Sequence, residues 1–347
     1  MKKVCIIGCF ADTFNLLNGQ TVKTKIVYKE LEKSLGSDEV MKIDTYGGVK
    51  TLLKTPIIVL NALKSAQNII ILPAENSLRI IVPFLIVLNR VFKRNIYYDV
   101  IGGWLPQFVK KRKWLGIFLK KINAIFVETS SMKEQLKSQG YNNIEVIPNC
   151  KELDILDEKT IKYTGIKPYR LCTFSRVMKE KGIEEAVRAV CEINSVHSDI
   201  FAVLDIYGQI EDNQKEWFEK LQTLAPGYIK YKGMVPFSQS TKVLKEYDAL
   251  LFPTYYDGEG FAGTIIDAFA AGLPVIASDW KYNSEIIKSG MTGVIFKTHS
   301  INELKNAIMS VDKDIKKWNL MRQNCISEAK EYLPANAMKK LIDIVNG

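Results

Sequence analysis

A short apolar run followed by an amphipathic stretch, repeated through two successive rounds, constrains this chain more than any other feature. In the first half "KVCIIGCF" (3–10), "NIIILP" (68–73), "NIYYDVIG" (95–102) and "AIFVETS" (124–130) read as buried strands. Helical patterns at 22–35, 77–92 and 131–139 lie between them. "IEVIPNC" (144–150) adds a strand, and a polar, charge-rich connection runs on to about residue 168. The second half restarts the rhythm with "YRLCTFSR" (169–176) and the helical "GIEEAVRAVCEIN" (182–194). "FAVLDIYG" (201–208), "YIKYKG" (228–233), "ALLFPT" (249–254), "PVIASD" (274–279) and "GVIF" (293–296) follow as strands, and helical patterns at 301–311, 315–331 and 336–345 close the chain. Such alternation specifies βαβ units and parallel sheets. The expected fold is α/β, with two doubly wound, Rossmann-like domains over 1–165 and 166–331 and a closing segment over 332–347.

Composition narrows the function classes. The longest apolar stretch, "IIVPFLIVL" (80–88), is far short of the roughly 20 residues a spanning helix needs. No signal-like segment precedes the first strand, so a cytoplasmic protein is expected. The six cysteines form no C-x-x-C pair and there are only two histidines, which argues against a zinc site and for reduced core thiols. Net charge is +10, and all of it lies in residues 1–165, with 25 Lys or Arg against 15 Asp or Glu. The remainder carries 23 of each. That asymmetry points the first half toward an anionic partner. "VKKRKWLGIFLKKI" (109–122) sharpens the point, because on a helix it makes a basic amphipathic surface suited to an anionic membrane. A core helix with a solvated flank fits the same pattern. No nucleic-acid-binding module accompanies the charge, and nucleic acid is not expected as a partner.

Chemistry in open parallel sheets gathers beyond the carboxyl ends of the strands. "FSRVMKEKG" puts Arg176 at one such end and Lys181 just before a helix at Gly182. Two cations beside a helix N-terminus suit a diphosphate, although a solvated surface produces the same spacing. "TYYDGEGFAGTIID" occupies another strand end, where Gly258 and Gly260 would let the backbone approach a ligand with positive φ. Glu259 would accept hydrogen bonds from a polyhydroxyl ligand, and a helix starting near Ala262–Gly263 would offer free N–H groups. Asp267 follows about one turn into that helix among Ile265, Ile266, Ala268 and Phe269.

Taken together, "SRVMKEKGIEEAV", "LDIYGQ", "YKGMVP", "EYDALLFPTYYDGEGFAGTIIDAFAAGLPVIASD" and "SEIIKSGMTGVIF" resemble the donor domain of the retaining glycosyltransferases of family 4, which have the two-Rossmann GT-B fold. "NGQTVKT" (18–24), "VETSSMKEQL" (127–136) and "VIPN" (146–149) match the first domain more loosely. The resemblance implies domains facing a central cleft, with the last helix crossing back to the first. It implies that Arg176 and Lys181 hold a donor diphosphate without a metal, and that Glu259 touches the donor sugar. Gly260, Phe261, Ala262, Gly263 and Thr264 would contact the donor, Asp267 the ribose, and Gly19, Gln20 and Thr21 would close over the phosphates.

Two departures stand out. Asp267 is one methylene shorter than the glutamate usual there, and the first half has no histidine, since His197 and His299 both lie in the second. Glu75, Asp99 and the Gly103-Trp104 loop are the weaker acceptor-side candidates. "DKD" (312–314) resembles a metal motif but falls between late helices, so neither a metal nor a cofactor is expected. The implied reaction moves a hexose-type sugar from a UDP-sugar to a saccharide, lipid-linked at the inner face of the plasma membrane, in polysaccharide assembly. A UDP-sugar 2-epimerase and a non-catalytic sugar-nucleotide-binding subunit are the rival readings.

Overall fold

The computed structural model describes residues 1–12, 19–47 and 53–346. Asn18, the first residue of the "NGQTVKT" segment, lies outside the described residues. The chain divides into one unit of Met1–Glu152 with Tyr332–Gly347 and a second of Leu153–Glu331. The division falls earlier than the sequence pattern suggested, because the polar connection packs on the second unit. Leu156 donates its N–H to the Ala270 carbonyl, while Thr164 receives Asn319 on its carbonyl and gives its hydroxyl to Asp248.

The first unit holds a six-stranded parallel sheet of β1 (Lys2–Gly8), β2 (Val40–Asp44), β3 (Ala66–Leu72), β4 (Asn95–Asp99), β5 (Ala124–Val127) and β6 (Ile144–Val146). Their spatial order is β2-β1-β3-β4-β5-β6. The apolar runs become strands because both faces are covered: Val4, Ile6, Ile70 and Phe126 are buried among helix residues such as Ile26, Val27 and Leu31. Ala337, Met338, Leu341 and Val345 join the same cluster, so the C-terminal helices complete this unit's core. Right-handed crossovers place the helices Thr55–Ser65, Glu75–Phe92, Leu105–Lys110 and Lys113–Leu119 on the opposite face of the sheet.

The expected continuous helix over 109–122 is two helices. Lys111 ends the first, and Arg112 sits outside helical geometry at φ −134° and ψ 61° before the second begins. β2 is an addition to the sequence reading, an edge strand on which only Val40 is buried.

The second unit holds β7 (Tyr169–Phe174), β8 (Ala202–Tyr207), β9 (Ile229–Gly233), β10 (Ala249–Phe252), β11 (Val275–Ser278) and β12 (Gly293–Phe296). All pairs are parallel and the order is β12-β11-β10-β7-β8-β9. Reading outward from β7, the chain winds one way through β8 and β9 and then returns to build β10, β11 and β12 on the other side. The reversal falls between β7 and β10. In a doubly wound sheet ligands bind at the carboxyl ends of the strands beside such a reversal.

Candidate functional site

The two loops at that reversal carry the residues singled out above. After β7, Ser175 keeps the register by donating to Tyr207, and Arg176 follows. The chain then makes a 3₁₀ turn at Lys179–Lys181 and enters the helix Ile183–Asn194 through Gly182 at φ 71°. A Cβ on Gly182 would stand 2.2 Å from the Pro253 carbonyl oxygen of the β10 loop. The two loops therefore touch backbone to backbone, and only glycine satisfies both the left-handed φ and the contact.

This contact brings Lys181 to Glu259. Its Nζ lies 2.6 Å from Glu259 Oε2, and both side chains are under a tenth exposed. Thr254, fully buried at the end of β10, donates its hydroxyl to the same oxygen at 2.8 Å and receives the Tyr256 N–H on its own oxygen. The ammonium also stands 5.0 Å from the centre of the Tyr256 ring and 5.5 Å from that of Phe252. A buried ion pair needs this completeness, since an unpaired buried charge is strongly destabilising. Arg176 occupies a wetter place. It is about half exposed, bonds Glu211 Oε1 at 2.8 Å and lies over the Tyr256 ring. Each of the two cations thus has a carboxylate of its own, and Tyr256 stands between them.

Past Glu259, Phe261 and Ala262 are buried and the helix Gly263–Ala270 begins. Ala262 at its N-cap supplies no side-chain acceptor for the first N–H groups. Thr264 gives its hydroxyl to the Phe174 carbonyl at 2.7 Å, which fastens the helix start to the end of β7. Its side chain is thereby engaged in structure rather than left to a ligand. Asp267 is 6% exposed within the same helix. Neither Gly258 nor Gly260 has a positive φ, contrary to the expectation above. What Gly258 needs is space, because a Cβ there would reach 2.5 Å from the Tyr256 ring. Trp280, in the loop after β11, donates its indole N–H to the Tyr256 carbonyl and pins the loop from a third side.

Sequence reasoning missed Thr254, Tyr256 and Trp280. A threonine, tyrosine or tryptophan after a strand carries no signal by itself; only the strand order makes these neighbours. His299 is also nearer than expected, since its ring centre stands 4.6 Å from that of Tyr255. His197 closes a helix end on the Ile193 carbonyl. Asp312 bonds Lys167 and the Tyr169 hydroxyl, and Asp314 caps the helix Ile315–Ala329, so the "DKD" run does structural work.

In the first unit, Gly19, Gln20 and Thr21 open the helix Gly19–Leu35, with Gln20 donating to the Leu72 carbonyl at the end of β3. Asp99 corrects the acceptor-side expectation. It is 2% exposed and 3.1 Å from the buried Lys23 ammonium, which also bonds Glu128 and the Val100 carbonyl. Burial alone would pull the Lys23 pKa down, but Asp99 and Glu128 outweigh it and hold it above the ordinary lysine range. Burial pushes the Asp99 pKa up against the pull of Lys23. Asp99 is thus part of an interior ion cluster. Glu75 is exposed at the start of its helix, Gly103 is buried, and Trp104 closes a turn on the Ile101 carbonyl.

Residues 157–332 match the family model described as glycosyl transferases group 1. The chain belongs to that family. Among curated relatives, it is 27% identical over 228 residues to the UDP-N-acetylglucosamine–peptide N-acetylglucosaminyltransferase GtfA subunit of Streptococcus gordonii, covering 64% of this chain and 44% of that protein. It is 24% identical over 253 residues to N,N'-diacetylbacillosaminyl-diphospho-undecaprenol alpha-1,3-N-acetylgalactosaminyltransferase of Campylobacter jejuni, covering 71% and 63%. The chain spans about half the length of the first curated relatives it matches. The structure of Anabaena HepE in complex with UDP superposes over 100% of both chains with a TM-score of 0.72 at 13% identity, a likeness of fold. The two-sheet α/β fold is the one the sequence resemblance implied.

Proposed function

We propose that this chain is a retaining glycosyltransferase of family 4 that transfers a hexose-type sugar from a UDP-sugar to a saccharide acceptor carried on a lipid, without a metal. The observation that carries this reading is the Lys181–Glu259–Thr254 cluster beside Arg176 at the strand-order reversal of the second unit. Names of relatives that include UDP-N-acetylglucosamine and diphospho-undecaprenol support the donor and acceptor classes.

On this reading Arg176 and Lys181 take the diphosphate and stabilise its charge as the sugar departs, an electrostatic effect needing no metal. Glu259, already held by Lys181 and Thr254, orients the donor sugar, and Asp267 serves the ribose. The acceptor hydroxyl attacks on the face the diphosphate leaves, and a donor phosphate oxygen takes its proton. Anomeric configuration is then retained without an enzymic nucleophile.

The test is incubation with individual UDP-sugars, with and without a polyprenyl-diphosphate saccharide, following UDP release and the anomer of the product. Acceptor-dependent UDP release is expected with one donor, lost by about 100-fold or more in Lys181→Met and Arg176→Met. Donor conversion without acceptor would identify a 2-epimerase. UDP-sugar binding with no release would identify a binding subunit, and either outcome defeats the proposal.

A further inference from the structure

The helical face of the first unit that lies away from its sheet is unlike an ordinary solvated surface. In the helix Glu75–Phe92, Leu78, Ile81, Val82, Leu85 and Ile86 are buried against the sheet side. The opposite side is apolar too: Ile80, Phe84, Val87 and Val91 recur at helical spacing, with Val91 79% exposed. From Ile80 to Leu88 the helix is apolar all round, a pattern that belongs in an interior or a membrane, and here one side is open. It is too short and too interrupted to span, since no helix among the described residues is long and apolar enough to cross a bilayer.

Its neighbours continue the same surface. The helix Thr55–Ser65 packs along one flank and presents Ile57 and Leu60, with Leu53 exposed just ahead of its start. The helix Lys113–Leu119 packs along the other and presents Trp114 and Ile117. Scattered apolar side chains are ordinary on a surface; three adjacent apolar stripes are not.

Charge says what covers them. Residues 53–122 contain twelve Lys or Arg and two Asp or Glu, and one of those two, Asp99, is buried against Lys23. Nine of the twelve cations are exposed, and among the described residues none of the nine is ion-paired to a carboxylate. Lys110, Lys113 and Lys120 rim a hollow whose wall includes Val109, Ile117 and Tyr141. Gly116 forms part of that hollow because the Tyr141 hydroxyl would lie 2.7 Å from any Cβ there. A second copy of this chain would have to set these cations against their own image, which charge repulsion opposes.

We infer that this three-helix face docks on an anionic bilayer surface. The stripes of Leu53–Ile57, Phe84–Val87–Val91 and Trp114–Ile117 enter the boundary between headgroups and acyl chains, and the hollow of Lys110, Lys113 and Lys120 takes headgroup phosphates. The break at Arg112 assists, because it lets two short helices follow the surface where one continuous helix would lift a lysine cluster away. Docking needs neither donor nor acceptor, so its failure and a failure of glycosyl transfer are separate results.

The experiment is vesicle flotation of the whole chain with phosphatidylcholine alone and with phosphatidylcholine mixed with phosphatidylglycerol. Binding to the mixed vesicles that weakens with added salt is expected, with little binding to the neutral ones. Lys110→Gln and Lys113→Gln are each expected to weaken it about five-fold. Phe84→Ser with Val91→Ser is expected to abolish it while leaving thermal unfolding unchanged, and should that pair unfold the chain, the two lysine variants decide alone. Equal binding to neutral and anionic vesicles, wild-type binding by the lysine variants, or no binding to either vesicle would overturn the proposal.

Discussion

Lys181 and Glu259 permit a sharp thermodynamic test of the site. Replacing Lys181 with Met leaves the Glu259 carboxylate nearly buried, with Thr254 as its remaining side-chain hydrogen-bond donor. Breaking a buried pair from one side costs about 3–5 kcal/mol, and the retained Thr254 bond places this case at about 3 kcal/mol. Glu259→Gln strands the ammonium instead, although Phe252 and Tyr256 lie beneath it at 5.5 and 5.0 Å and recover about 2 kcal/mol of cation–π attraction. The double variant Lys181→Met/Glu259→Gln removes both charges, so a coupling of about 2–3 kcal/mol is expected between the sites. For a unit of this size each 1 kcal/mol moves Tm by about 2–4 °C. Lys181→Met alone should thus lower Tm by about 6–12 °C, with much of that restored in the double variant. Urea and thermal unfolding followed by circular dichroism provide the measurement. Single-variant losses that simply add in the double variant would show that the two charges do not depend on each other, and the site as described would be wrong.

Three further outcomes follow from the geometry. Gly182→Ala forces a left-handed alanine whose Cβ meets the Pro253 oxygen; a loss of about 2–5 kcal/mol in urea unfolding is expected. The Thr298 hydroxyl and N–H hold the Asp279 carboxyl below the ordinary aspartate range. Because the folded value is depressed, that stabilisation is present above the unfolded value of about 3.9 and is lost as pH falls through the folded value. The stability gap between wild type and Asp279→Asn should therefore shrink as urea titrations move from about pH 5 to below pH 3.9; a constant gap would refute the assignment. Lys23→Met removes the buried cation that pairs with Asp99 and Glu128 and should cost the first unit about 3–5 kcal/mol, measured as loss of hydrogen-exchange protection in β4 and β5.

The sequence exposed the parts of this molecule that rest on local pattern. Strands buried on both faces announce themselves as apolar runs, and eleven were legible; β2 was not, because "VMKID" lies at a sheet edge and buries only its first residue. Arg176, Lys181 and Glu259 were recognisable from loop chemistry, yet their pairing was not. That Lys181 faces Glu259 across 78 positions depends on β7 lying beside β10. Asp99 misled for the converse reason. An aspartate at a strand end looks available until the Lys23 ammonium, distant in sequence, is found buried beside it. The break at Arg112 escaped notice because no proline or glycine marks it.

The membership of Tyr332–Gly347 in the first unit has a consequence for synthesis. All six strands of that unit's sheet have been made once residue 146 is reached, but Ala337, Met338, Leu341 and Val345, which cover part of its core, follow only about 190 residues later. At roughly 5–20 residues per second, the nascent sheet waits on the order of 10–40 s with an apolar face uncovered while the whole second unit is translated. Over that interval part of the sheet's apolar face has no cover from its own chain, and the helices that carry Ala337, Met338, Leu341 and Val345 act as the latch that ends it.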